Sequence, residues 1–206
     1  MRKFFLIFFT ILSACLFKRA KMENFDTQRY FELGLYNFYK GKYDKARFYF
    51  NRVLFSGEIK EYTDDAQFYI AKSYLNEKQF ETAISEYNFL INQFPNSEHI
   101  EEAEFDLLKL EILKVRSPLH ETKELEKVLT KLSEFQRKYP ESQYIEEIKG
   151  LKGEVLNILA EKIYKIAELY ENMKKFNSAK IYYEELISKY PDTIWAEKAR
   201  KKINKK

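Results

Sequence analysis

The stretch Asp64–Ser97, DDAQFYIAKSYLNEKQFETAISEYNFLINQFPNS, decides the fold of this chain. Its apolar residues recur three to four positions apart on both sides of a polar break at 76–78, which is the spacing of helices. Pro95 predicts the end of the second helix, because proline has no amide hydrogen and clashes with the preceding turn. Small residues at Ala71 and Ala83 let two helices approach closely. The stretch therefore predicts a pair of short amphipathic helices.

Other parts of the chain repeat this pattern. A copy 37 residues earlier places Gly34 at the position of Ala71, and a copy 37 residues later aligns EEAEFDLL with DDAQFYIA. A further copy contains the residues Ile166, Ala167, Tyr170, Ala179, Tyr183, Leu186 and Pro191. Such helix pairs resemble tetratricopeptide repeats, which are about 34 residues long. We therefore expect an all-α tetratricopeptide-repeat superhelix of about four repeats with a C-terminal capping helix.

Three copies end alike, with an aromatic residue, a proline and, two positions later, a hydroxyl residue. These endings are Phe94–Ser97, Tyr139–Ser142 and Tyr190–Thr193. We expect the proline to end one helix and the hydroxyl group to cap the next one.

Two insertions distinguish the later copies. Eight extra residues in the third copy include Arg116–Thr122, RSPLHET, which predicts a loop between its two helices. Fourteen extra residues before the fourth copy carry apolar residues in helical rhythm. We therefore expect one long helix from about Gln143 to Asn172, with a weak point at Gly150 and Gly153 because glycine has a low helix propensity.

The N-terminus has the pattern of a bacterial secretory signal. Its apolar run, Phe4–Leu12, is much shorter than the roughly 20 residues that span a bilayer. The following LSAC resembles a lipobox, in which the cysteine is acylated and becomes the first residue. This resemblance implies lipidation at Cys15 and, with Leu16 next to it, an anchor at the periplasmic face of the outer membrane. The alternative is a buried cysteine in an ordinary hydrophobic N-terminus.

These patterns predict four consecutive segments. They are a signal peptide at 1–14, a lipidated tether at 15–26, tetratricopeptide repeats 1–3 at 27–142, and the long helix with repeat 4 and the capping helix at 143–206.

The residues give little support to enzyme chemistry or nucleic-acid binding. The formal net charge is only +4, with acidic and basic residues interspersed, whereas nucleic-acid binders concentrate basic residues. His99 and His120 fit no metal-ligand spacing, and neither a glycine-rich phosphate loop nor a nucleophile elbow occurs. We therefore expect no catalysis, no metal and no cofactor.

Binding is the natural use of stacked helix pairs, whose first helices form an extended concave surface. Aromatic residues occupy the fifth position of the repeats, and two lysines in the same helices are 37 residues apart from each other. The residues of this candidate peptide groove are Phe31, Phe68, Phe105, Tyr164, Lys72 and Lys109. Our hypothesis is that the rings hold alternate side chains of an extended peptide and that the lysines pair with its terminal carboxylate. The alternative is that the rings pack between repeats and the lysines are solvated.

The lipobox, the repeats, the Ser-Pro loop and the segment 159–170, LAEKIYKIAELY, together resemble the BamD family. That resemblance implies a non-enzymatic lipoprotein scaffold of the machinery that inserts β-barrels into the outer membrane. It also implies two partners. The C-terminal half would bind the periplasmic domains of a BamA-like barrel assembly component, and the N-terminal groove would receive C-terminal segments of unfolded outer membrane proteins.

Two departures from that family bear on the partner surface. The chain ends after the closing helix, where many relatives have a fifth repeat, and Tyr182 replaces a basic residue that relatives direct towards the barrel component. We expect the partner surface to be rebuilt around Lys180. The alternative function is that of another tetratricopeptide-repeat envelope lipoprotein, either a secretin pilotin-like carrier or a peptidoglycan-associated scaffold.

Overall fold

The computed structural model describes residues 26–55, 62–115 and 122–204. Within these ranges the chain is helical, with short turns and no strand. The helices are α1 (26–39), α2 (Tyr43–Leu54), α3 (Thr63–Asn76), α4 (Phe80–Gln93), α5 (Ile100–Val115), α6 (Thr122–Lys138), α7 (Ile145–Asn172), α8 (Phe176–Lys189) and α9 (Ile194–Asn204). The predicted signal peptide, Cys15 and most of the predicted loop at 116–122 lie outside the described residues. The prediction of an all-α fold is confirmed.

Consecutive helices form the predicted helix–turn–helix pairs. Ala71 and Ala83 are fully buried, as expected for residues at a close helix crossing. Gly34 takes the same place in the first pair, where an added Cβ atom would lie 2.6 Å from Cδ1 of Phe50. The small residues are therefore required by the packing, which is that of a tetratricopeptide repeat.

The ends of the repeats follow the predicted chemistry for the prolines, and for the hydroxyl caps only in part. α4, α6 and α8 each end two residues before a proline. The following hydroxyl oxygens accept hydrogen bonds from backbone N–H groups: Ser97 from His99 at 3.2 Å, Ser142 from Tyr144 at 3.0 Å, and Thr193 from Ala196 at 3.3 Å. The Thr193 bond satisfies a donor in the first turn of α9, as a cap does. The Ser97 and Ser142 bonds lie in the turns directly before α5 and α7, and no side chain caps the start of α7.

The chain divides into two compact units, with the boundary after Glu104 inside α5. This boundary is earlier than the division after residue 142 expected from the sequence. The reason is that the first half of α7 packs with α5 and α6, where Ile148 and Val155 share a core with Leu125 and Leu132. The second half of α7 forms another core with α8 and α9.

The predicted long helix is confirmed as α7, which runs without a break from Ile145 to Asn172. Gly150 and Gly153 do not interrupt it, and the side-chain amide of Asn157 donates a hydrogen bond to the Gly153 carbonyl at 2.9 Å. Despite this length, none of the helices in the described ranges is apolar enough over a sufficient length to cross a membrane.

Candidate functional site

The four aromatic residues at the fifth position of the repeats lie inside the protein. Phe68, Phe105 and Tyr164 are only 3%, 4% and 6% exposed, and Phe31 is half-buried. Each ring also contacts a ring of the second helix in its own pair. These contacts join Phe31 to Phe50, Phe68 to Tyr87, Phe105 to Phe135 and Tyr164 to Tyr183.

Each of these rings also contacts an aromatic ring near the start of the next helix pair. The ring centroids lie 5.1 Å apart for Phe31 and Tyr62, 4.1 Å for Phe68 and His99, 4.2 Å for Phe105 and Tyr144, and 5.1 Å for Tyr164 and Trp195. The first three pairs are stacked and the fourth is tilted. We call each such ring pair a repeat joint.

The two lysines of the candidate groove belong to the second and third repeat joints. Lys72 Nζ lies 2.7 Å from a carboxylate oxygen of Glu102 and 5.6 Å from the centroid of the Phe68 ring. Lys109 Nζ lies 2.9 Å from Glu147 and 5.0 Å from the centroid of Phe105. In both joints the lysine thus pairs with a glutamate of the following repeat, in addition to covering the ring.

The four rings therefore pack between repeats, as in the alternative to the peptide groove, whereas the two lysines form ion pairs and are not simply solvated. Buried rings offer little surface to a peptide, and the lysines already have carboxylate partners. Peptide binding itself stays a prediction.

The second rings and the glutamates of the joints were not predicted, although the sequence carries a signal for them. His99 follows Phe68 by 31 residues and Glu102 follows Lys72 by 30. Tyr144 and Glu147 follow their partners at spacings that are eight residues longer, which equals the insertion in the third repeat. Once the insertion is subtracted, these offsets agree between repeats, and they therefore indicate which residues of consecutive repeats are partners.

A different surface is exposed on the second half of α7. Ile166, Leu169 and Met173 are 40%, 59% and 52% exposed. Ile166 and Leu169 lie on one face of α7, and Met173, which directly follows the helix, continues their spacing of three and four residues. We call these three residues the α7 stripe. Ala167, next to Ile166 in the sequence, is by contrast fully buried in the core formed with α8 and α9.

The two residues expected to rebuild the partner surface lie on α8. Tyr182 stacks on Tyr170 of α7 with ring centroids 5.2 Å apart. The charge and the hydrogen bond of Tyr170 raise the pKa of Tyr182 above its usual value. Lys180 is exposed, and its Nζ lies 3.7 Å from Glu184 on the same helix. Tyr182 is therefore held against α7, whereas Lys180 remains accessible.

Glu171 joins the last three helices. Its Oε2 atom accepts hydrogen bonds from the hydroxyl group of Tyr183, at 3.1 Å, and from Lys202 Nζ, at 2.8 Å. Burial, followed by this hydrogen bond, raises the pKa of Tyr183, so the tyrosine stays neutral and remains a donor. The contact fixes α8 and α9 on the end of α7.

The helix pairs, the proline-terminated repeats and the repeat joints define this chain as a tetratricopeptide-repeat protein. Its particular family follows from a comparison with family models. The model of the YfiO family, described as outer membrane lipoprotein, matches residues 23–205, and the chain therefore belongs to that family.

Solved structures with a similar fold include a TPR protein. A thermophilic TPR protein from Thermus thermophilus has 18% sequence identity and a TM-score of 0.44. The similarity covers 81% of this chain and 92% of that one. No curated protein compared with the chain matches it.

Proposed function

We propose that this outer membrane lipoprotein is a non-enzymatic scaffold of the β-barrel assembly machinery. In this proposal, lipid at Cys15 anchors it to the periplasmic face of the membrane. The C-terminal half binds periplasmic domains of a BamA-like component, and the N-terminal repeats receive C-terminal segments of unfolded outer membrane proteins. Support comes from the family match over residues 23–205 and from the order of repeats and insertions.

The α7 stripe is the observation that carries the proposal. Ile166, Leu169 and Met173 belong to the region Leu159–Pro191, which together with the order of the insertions is the specific part of the resemblance to the BamD family. Large apolar side chains grouped on one exposed helix face typically mark a surface that another protein covers. Methionine, as at Met173, is enriched in protein interfaces and adapts to irregular partners. The stripe therefore supports docking of the barrel component on α7.

In this proposal, exposed side chains of the first repeat bind the substrate, because the rings of the repeat joints are buried. Tyr36 and Tyr39 are exposed on α1, the first helix of its pair.

An aromatic peptide that copies the C-terminus of an outer membrane barrel should bind with micromolar affinity, about 8 kcal/mol. A double Tyr36→Ser, Tyr39→Ser variant should weaken this binding several-fold in fluorescence anisotropy, whereas Phe89→Ser on the second-helix surface should not. Absence of binding to the unaltered protein would remove the substrate-receiving part of the proposal.

The docking part of the proposal is tested by co-purification from native membranes. Leu169→Asp places a charge in the centre of the α7 stripe and should reduce the recovered BamA-like component at least tenfold. Ile194→Asp is the matched control, because Ile194 is equally exposed at 59% but begins α9. It should leave recovery unchanged. Recovery of a secretin instead of a barrel assembly component would favour the pilotin-like alternative.

A further inference from the structure

A cluster of ligating side chains lies in the first compact unit. Asp65 is in the first turn of α3, and Glu98 and His99 directly precede α5. One ligand atom from each residue lies within 4.8 Å of the others. The closest contact joins His99 Nε2 to Asp65 Oδ1 at 2.6 Å. The sequence spacing concealed this cluster, because Asp65 and His99 are 34 residues apart and meet only through the repeat fold.

The imidazole of His99 is held in place before any ligand binds. Its ring lies parallel to the ring of Phe68, with a centroid distance of 4.1 Å and an interplanar angle of 4°. Its backbone N–H donates a hydrogen bond to the Ser97 hydroxyl oxygen. The side chains of His99 and Asp65 are only 17% and 25% exposed. The nitrogen and the carboxylate are therefore preorganised and partly shielded from water.

Comparison between repeats separates this cluster from ordinary packing. The rings that correspond to His99 in the other repeat joints are Tyr62, Tyr144 and Trp195. Packing a joint thus requires only an aromatic surface. The second joint is the one among the four that uses an imidazole. The Nε2 atom of this imidazole contacts the carboxylate of Asp65, and the carboxylate of Glu98 lies nearby.

We propose that Asp65, Glu98 and His99 bind a divalent cation of the zinc class. An imidazole nitrogen with carboxylate oxygens is a ligand set that suits Zn²⁺, whereas Mg²⁺ and Ca²⁺ prefer oxygen ligands alone. Zinc ligands lie about 2.0–2.2 Å from the metal, which in tetrahedral geometry separates them by roughly 3.4 Å. The ion takes the place of the proton between His99 and Asp65, which is released to solvent. The two ligand atoms then separate from 2.6 Å to roughly 3.4 Å, and the exposed side chain of Glu98 turns towards the ion. Two carboxylates balance the charge of the ion, and water completes the coordination.

Such an ion would connect the start of α3 to the start of α5 and so reinforce the second repeat joint. Lys72, which lies over the Phe68 ring that stacks on His99, is paired with Glu102 at 2.7 Å, and this pairing offsets its repulsion of a cation. This inference does not depend on the proposed role in barrel assembly.

The test is a calorimetric titration of the full chain in detergent with zinc chloride, after treatment with a chelator. One ion should bind per chain with micromolar affinity, and thermal unfolding should shift upwards. His99→Phe keeps the stacking ring but removes the nitrogen, so it should remain folded by circular dichroism and bind at least tenfold more weakly. Glu98→Gln should weaken binding several-fold. His120→Phe is the control for the other histidine and should bind like the unaltered chain.

Two results would overturn the proposal. One is the absence of stoichiometric zinc binding by the folded, unaltered chain. The other is undiminished binding by folded His99→Phe, which would show that the cluster is an aromatic and polar contact only.

Discussion

At the scale of single residues, Phe68 shows how one side chain connects consecutive repeats. It contacts Tyr87 within its own helix pair and stacks on His99 at the start of the next. Because both contacts exclude water, the ring contributes apolar burial and aromatic packing together. A residue in this position belongs to the core even though the helical pattern places it on the face expected to line a groove.

We therefore predict that Phe68→Ala destabilises the protein. Removing a buried phenylalanine typically costs about 3–5 kcal/mol through lost burial and the cavity that remains. Phe89→Ala is the control, because Phe89 is exposed on α4, and its cost should be far smaller. Urea denaturation followed by circular dichroism measures both. Equal losses would show that Phe68 does not hold the repeats together.

A second prediction concerns the turn between the helices of a pair. Gly41, Lys78 and Lys174 occupy this turn with φ angles of 69°, 60° and 58°. The left-handed conformation costs a residue other than glycine roughly 1–2 kcal/mol. Lys78→Gly should therefore raise the free energy of unfolding by about 1 kcal/mol. Lys180→Gly, in the exposed interior of α8, should instead lower it by a similar amount, and the same sign for both changes would contradict this explanation.

Sequence patterns predicted which residues share a position, but not what covers them. The 37-residue spacing correctly grouped Phe31, Phe68 and Phe105. Whether a ring is open or covered depends on the following repeat, whose contribution is a histidine in one joint and a tyrosine in the next. Because the residue type changes and an eight-residue insertion alters the spacing, the partner rings do not form a repeating sequence pattern.

At the scale of elements, α7 shows that packing can override a weak local preference. Its 28 residues include Gly150 and Gly153, yet the helix is continuous because apolar residues on either side are buried against α6 and α8. The prediction of a long helix from periodicity was correct for this reason. The two glycines lower the stability of the helix without interrupting it.

The cost of these glycines can be measured. An added Cβ atom at Gly150 or Gly153 would meet nothing within 4 Å. Each change to alanine should therefore stabilise the protein by about 0.5–1 kcal/mol. Gly34→Ala is the informative contrast, because its Cβ atom would overlap the Phe50 ring, and it should lower the melting temperature. A loss of stability in Gly150→Ala would mean that α7 needs flexibility at this position.

At the scale of the whole molecule, the chain combines the family's repeats with an N-terminal sequence that predicts a lipid anchor. We predict that residues 1–14 are removed and that Cys15 is acylated. Mass spectrometry of protein extracted from membranes should find a lipidated N-terminal peptide that begins at Cys15. Cys15→Ala should release the protein from membranes, whereas an unmodified N-terminus at Met1 would contradict the anchor.

We propose that this protein supports insertion of β-barrels into the outer membrane. Depletion from cells, followed by electrophoresis of outer membrane proteins without boiling, measures the folded fraction of barrels directly. We predict that this fraction falls and that a plasmid copy restores it, while Leu169→Asp restores it poorly and Ile194→Asp restores it fully. Barrels that fold normally after complete depletion, with loss of secretin multimers alone, would contradict a role in barrel assembly.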